Sequence, residues 1–168
     1  MKTITRKIDL YNFEELKGKA KERAADYLGE MFQDFGFLQD TLMEVLKYEL
    51  RTLGFEYSDL GVFYSLSYRQ GDGLMFEGTV TCPKGIQYTI KKQGHYCHER
   101  STSIEGLDSG LEDIDADDFE ENVYIPLCKK VRDLGYKEIE YKQSDEYLQE
   151  ICEANDYTFT IDGVMDNE

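Results

Sequence analysis

Val62-Phe63-Tyr64-Ser65-Leu66-Ser67-Tyr68-Arg69-Gln70-Gly71-Asp72-Gly73-Leu74-Met75-Phe76-Glu77-Gly78-Thr79-Val80 is the stretch that decides the fold. Val62, Tyr64, Leu66 and Tyr68 fall on one face of a chain with period two. Leu74, Phe76, Gly78 and Val80 do the same after Gln70-Gly71-Asp72-Gly73, whose glycines suit a reversal. The pattern predicts an antiparallel hairpin. Downstream, Gln87 to Lys91 and Tyr96 to Ile104 read as a third and fourth strand separated by Gln93-Gly94. A central antiparallel sheet of four to six strands follows.

Upstream the period changes. Thr3 to Leu10 alternate and read as an N-terminal strand. Asn12 with Glu15 has the spacing of a capping box, and Leu16, Ala20, Ala24, Tyr27 and Leu28 recur at helical intervals, which predicts a helix over about 13–30. Leu38, Leu42, Val45, Leu46 and Leu53 define a second helix that Gly54 ends. After the sheet, Phe119, Val123, Leu127, Val131 and Leu134 predict a helix from about 118, kinked at Pro126 and bent again at Gly135. Ser144 caps a final helix through Cys152, and Tyr157 to Ile161 reads as a closing strand before the Asp162-Gly163 turn. The expectation is one α+β domain over residues 1–168: two N-terminal helices, a central sheet and acidic C-terminal helices.

Charge divides this domain. The 168 residues carry a net charge of −16, yet residues 101–168 hold 20 acids and 5 bases while residues 1–100 hold 15 and 14. Residues 1–104 are thus near neutral, and 105–168 are acidic. The 13 Tyr and 9 Phe argue for a packed interior, because disordered acidic tails are poor in aromatics. A charge this far from zero creates a strong field and favours basic partners. It disfavours direct contact with nucleic acid or anionic lipid, whose affinity comes from Lys and Arg. No run approaches a membrane span, no signal-peptide core follows Met1, and four unpaired-looking cysteines fit a reducing compartment, so a cytoplasmic protein is expected.

The densest acids are Asp108, Glu112, Asp113, Asp115, Asp117, Asp118, Glu120 and Glu121, eight in fourteen residues with no base. In helical form the run places one charge per about 2.6 Å, between the roughly 3.4 Å of a single nucleic-acid strand and 1.7 Å of a duplex; extended, it is a solvated loop. Glu138, Glu140, Asp145 and Glu146 follow on later helices and are expected to extend the same surface. Other chemistries have weaker footing. Asp113, Asp115 and Asp117 alternate like calcium ligands but lack the turn glycine. His95, Cys97 and His98 cannot all face one zinc from a regular strand. A small nuclease or hydrolase using His95, His98 and Asp72 stays open as the alternative, as does a phage regulatory module that binds another protein. No cofactor and no metal is expected.

Four segments together resemble a group of small phage and prophage accessory proteins: Tyr11-Asn12-Phe13-Glu14-Glu15-Leu16 with Ala20 and Ala24; Leu53-Gly54-Phe55; Tyr64-Ser65 through Gln70-Gly71-Asp72-Gly73 to Phe76-Glu77-Gly78; and Ser144-Asp145-Glu146 through Asn155-Asp156-Tyr157-Thr158-Phe159-Thr160 to Asp162-Gly163. His98-Glu99 is similar too. The resemblance implies a small α+β protein acting in the cytoplasm of an infected bacterial host, and it brings no catalytic residues. By class it implies an anti-CRISPR-like inhibitor of host defence whose acids imitate nucleic acid. The expected partner is a basic host protein, a CRISPR effector or another nucleic-acid-binding defence protein.

Overall fold

The structure is a computed structural model that describes residues 7–32, 35–108 and 113–166. It is an α+β fold whose sheet has five antiparallel strands in the order β1-β2-β3-β4-β5: Glu56–Ser65, Gly73–Thr81, Gln87–Lys92, Thr102–Leu107 and Asp113–Ile114. The chain forms two compact units, residues 35–137 and residues 1–34 with 138–168. Among the described residues no helix is long and apolar enough to cross a membrane.

The larger unit begins with α2, Phe35–Thr52, numbered after α1 of the other unit (Lys19–Met31). Leu38, Leu42, Leu46 and Leu50 recur every four residues on α2 and are all buried. The predicted hairpin forms, with Val62 opposite Phe76 and Ser65 opposite Gly73, but Leu66 and Tyr68, expected on its first strand, lie in the loop, and Gly73, expected in the turn, begins the second strand. The strands stop at Ser65 and resume at Gly73 because the Asp72 carboxylate collects the intervening loop. It accepts bonds from the Ser67 and Arg69 amides at 2.6 and 3.1 Å, which removes those donors from any ladder.

The fourth strand starts later than expected, at Thr102 and not at Tyr96. The Gln93 amide donates to the Ser101 carbonyl at 2.8 Å and the Ser101 amide to the His98 carbonyl at 2.8 Å, so residues 94–100 leave the ladder as a closed loop. Just before Pro126, where a kink is expected, the helical register changes. α3, Asp117–Phe119, passes into a π-helical turn, Glu120–Tyr124, before α4, Ile125–Lys142. Proline supplies no amide and crowds the preceding turn, and a wider turn just before it accommodates both defects. α4 runs unbroken through Gly135. A β-carbon there would lie 2.7 Å from a Leu66 methyl and 3.0 Å from a Leu42 methyl, so its lack of side chain lets the helix approach them.

The smaller unit packs Phe13, Leu16, Ala24, Leu28, Leu148, Cys152 and Phe159 into one core. The expected first helix divides into a 3₁₀ turn, Phe13–Glu15, and α1, because Gly18 adopts φ +54° and Leu16 is extended. The Asn12–Glu15 pairing forms on the short turn, with the Asn12 amide donating to the Glu15 carboxylate at 2.7 Å. α5, Asp145–Ala154, starts as predicted, the Tyr147 amide donating to the Ser144 hydroxyl at 3.3 Å. Both terminal strands are corrected. Thr3 to Arg6 lie outside the described residues, Lys7 to Leu10 are not strand, and pairing reduces to single bridges Tyr11–Phe159 and Phe159–Met165. The Asp162-Gly163 turn folds the chain back so soon that Phe159 alone is paired on both sides.

Candidate acidic interface

The acidic run is built in two conformations. Asp113–Ile114 pairs with the end of β4, Leu107 opposite Asp113 and Gly106 opposite Ile114, so these two residues are extended. Asp115 then turns the chain: its carboxylate accepts from the Asp117 amide at 3.0 Å, an Asx turn that leads into α3, whose N-cap is Ala116. Asp117, Asp118, Glu120 and Glu121 consequently lie within about 6 Å of helical rise. Among the described residues, this end of the run reaches the compact spacing that resembles nucleic acid. Glu112 lies outside the described residues, and Asp108 closes the β4 side half-buried.

Phe119 holds the segment down. It is buried, stacks on Tyr88 with ring centres 3.9 Å apart and planes within 7°, and meets Phe55 at 5.9 Å. Asp115, Asp117, Asp118 and Glu121 are exposed, and Glu120 is half-buried. Asn122 donates to Asp118 at 2.8 Å. Of Asp115, Asp117, Asp118, Glu120 and Glu121, Glu121 alone has an ion-pair partner among the described residues: Arg100, at 2.9 Å. The field reaches the floor of the segment. Burial, with added push from Cys82 and Asp118, raises the Tyr88 phenol above its ordinary pKa.

The π turn next to the segment is fixed by Tyr124. Its buried hydroxyl donates to the Phe76 carbonyl at 3.0 Å and accepts from the Phe76 amide at 3.3 Å, standing in for a neighbouring strand where β3 has ended. Burial drives the Tyr124 pKa far upward, and burial likewise pushes the Cys128 thiol up to about 12.

Glu138, Glu140, Asp145 and Glu146 are in the smaller unit, where Asp145 pairs with Lys21 at 2.7 Å. The acidity of the C-terminal sequence is thus shared, with net charge −9 for residues 1–34 and 138–168 and −7 for residues 35–137.

The residues of the alternative hydrolytic reading have structural work. Asp72 accepts five hydrogen bonds, from the Ser65 hydroxyl, the Ser67 amide and hydroxyl, the Arg69 amide and the Tyr136 hydroxyl, the last at 2.7 Å. Burial works to raise its pKa, but the hydrogen bonds from Tyr136, Arg69 and Ser67 outweigh it and hold the carboxyl well below the usual range. His98 Nδ1 accepts the Arg100 amide at 3.2 Å, which leaves the neutral ring's proton on Nε2, 3.6 Å from a Glu99 carboxylate oxygen. Neither nitrogen is presented as a base. His95 is exposed on the same loop. Among the described residues no three His, Cys, Asp or Glu side chains are placed to hold a metal ion, those of the His95–His98 loop included, and the Asp113 side chain lies outside the described residues.

Sequence reasoning missed Phe119 as an anchor, and Glu99 and Arg100 as neighbours of the run. Phe119 carries a usable signal, since it is the one large apolar residue between Asp115 and Glu121. Arg100 carries none, being 21 positions from its partner. Compared with protein-family models, curated proteins and solved structures, the chain matches none of them.

Proposed function

We propose that the chain is a phage-encoded binding inhibitor that docks on a basic groove of a host nucleic-acid-binding defence protein, in the manner of anti-CRISPR proteins. Asp115, Asp117, Asp118, Glu120 and Glu121 compete for the Lys and Arg that hold a guide duplex or a DNA strand. The observation that carries this reading is the anchoring of these acids on a folded scaffold by Phe119, with one internal cation among the described residues to offset them. A solvated acidic loop has no need of a buried aromatic anchor. The resemblance to phage accessory proteins supplies the biological setting, and Asp108, Glu112 and Asp113 extend the surface in sequence.

The test uses purified CRISPR ribonucleoproteins with labelled target DNA and stoichiometric amounts of this protein. Inhibition with the nucleic acid left intact, weakening steeply with salt and lost on reversing Asp115, Asp117 and Asp118 to Lys, supports the reading. Unchanged inhibition by that folded variant sinks it, as does turnover of the nucleic acid by the protein itself.

A further inference from the structure

The smaller unit holds a cavity of about 280 Å³ between the 3₁₀ turn and the end of α5. Its inner wall belongs to the core of that unit: Phe13 and Cys152, 2 % and 3 % exposed, line it beside the half-buried Tyr157. Burial, and then the charge of Glu153, pushes the Cys152 thiol up to about 11, so this wall stays neutral. The rim is acidic. Glu14 comes from the 3₁₀ turn, Glu153 from the last turn of α5 and Asp156 from the reversal after it, and all three are exposed. The side-chain nitrogen of Gln149 donates to Glu14 at 3.2 Å and to Glu153 at 2.9 Å, so carboxylates from two elements converge on one nitrogen. Among the described residues none of the three acids has an ion-pair partner.

The local backbone does not favour these acids. The Tyr157 amide donates to the Cys152 carbonyl at 2.9 Å and the Asp156 amide to the Glu153 carbonyl at 3.4 Å, a Schellman ending in which Asp156 takes φ +55° where glycine is the usual choice. The end of a helix is also the negative pole of its dipole, and α5 has no base in its last turn. Two acids therefore stand where the backbone favours a cation. Among the described residues no three acidic, His or Cys side chains converge to hold a metal ion, so the charge is spread around the cavity and suits an extended organic cation.

We propose that this cavity binds an alkylammonium chain, that of a free polyamine or of a lysine side chain. The ammonium takes the place between Glu14 and Glu153 that the Gln149 amide now fills, and the methylenes lie along Phe13 and Tyr157. An ammonium brings three donors and a charge where the amide brings two donors and none. The site belongs to the smaller unit and does not rest on the docking reading above.

The test titrates cadaverine and Nα-acetyl-lysine methylamide into the full chain at constant ionic strength, followed by amide chemical shifts and thermal unfolding. Saturable binding in the millimolar range or tighter is expected, with shifts gathered at Phe13, Glu14, Glu153 and Tyr157 and a rise in Tm. Sodium chloride and pentanol should give neither. Glu14→Gln/Glu153→Gln should weaken amine binding about tenfold or more. Asp156→Gly should also bind more weakly while melting no lower than the wild type, because glycine suits φ +55°; a merely structural role for Asp156 would not lower affinity at undiminished stability. Asp117→Asn/Asp118→Asn, in the other unit, should bind as the wild type does. Equal affinity for the two amines assigns the cavity to a lysine side chain, and a large preference for cadaverine assigns it to a free polyamine. Shifts spread over every acidic surface, equal weakening by the Asn variant, or unchanged affinity in either cavity variant overturns the site.

Discussion

Replacing Phe119 by Ala keeps every carboxylate of the acidic segment and removes what shapes it. The lost contacts are the stacked Tyr88 ring at 3.9 Å and the tilted Phe55 ring at 5.9 Å. Truncating a buried Phe costs about 3–5 kcal/mol. Tyr88 is itself 9 % exposed and Phe55 half-buried, so the cluster lies toward an edge where solvent enters and the low end, about 3 kcal/mol, applies. For a chain of this size that is a fall of roughly 6–12 °C in Tm. Changing Asp117 and Asp118 to Asn, which removes charge but spares the anchor, should move stability by no more than about 0.5 kcal/mol. Urea titration followed by circular dichroism gives the stability. Native-state hydrogen exchange at the Glu120 amide, which donates to the Ala116 carbonyl at 2.8 Å, reports whether α3 has come loose. In the inhibition assay Phe119→Ala should lose potency although its net charge is unchanged. A loss under about 1 kcal/mol with the Glu120 amide still protected would refute the anchoring argument, and full potency with a loosened α3 would show that charge alone suffices.

Tyr124→Phe strips the buried hydroxyl from both the amide and the carbonyl of Phe76, and at about 1–3 kcal/mol per orphaned group the variant should lose roughly 2–4 kcal/mol, with faster exchange at the Phe76 amide; a midpoint within error of wild type contradicts this. Stability should fall in alkali. The Cys128 thiol rises from 9.0 to about 12 and the Tyr136 phenol from 10.0 to about 12, so the unfolded chain sheds these protons from about pH 9 upward while the folded chain keeps them. Their contribution is complete below pH 9 and disappears toward pH 12. Tm measured from pH 8 to 11 should drop, less steeply in Cys128→Ala, and a flat profile counts against the assignment. Gly163→Ala sets a β-carbon against the Ala20 carbonyl at a residue with φ +75°, and should destabilise the smaller unit by about 1–3 kcal/mol, read as lost exchange protection in α1.

Elements whose cause is local were legible. The hairpin from Val62 to Val80 was legible from alternating residues on either side of a glycine-bearing reversal, although Leu74, Met75 and Phe76 are buried in succession where a period of two was expected; α2 follows from leucines every four residues and α5 from the Ser144 cap. Where the reading failed, a contact distant in sequence or an unforeseen backbone state decided. Tyr96 to Ser101 have strand-like composition, yet the Gln93–Ser101 closure and the Arg100–Glu121 pair make them a loop. Tyr157 to Ile161 read as a strand, but among the described residues pairing is limited to the isolated bridges of Phe159. The Asn12–Glu15 signal was correct about the start and silent about Gly18 ending the turn. Within the acidic run, spacing could state the condition for a compact surface without showing where it is met; the transition from strand to helix falls at Asp115 to Asp117.

The sequence by itself determined the α+β class, the hairpin, the principal helices and the uneven distribution of charge, because each depends on neighbours within a turn or a pleat. Tertiary structure alone decided how that charge is shared. Residues 138–168 join residues 1–34 in one unit, so the acidic half of the sequence is no half of the molecule. It also placed Phe119 on Tyr88, Tyr124 on Phe76 and Arg100 on Glu121, and buried Glu99 with no hydrogen-bond partner for its Oε2 among the described residues. Such contacts join positions about 20 to 50 residues apart, and their loop-closure cost is met by the burial of the whole core, a quantity that no local pattern of residues encodes.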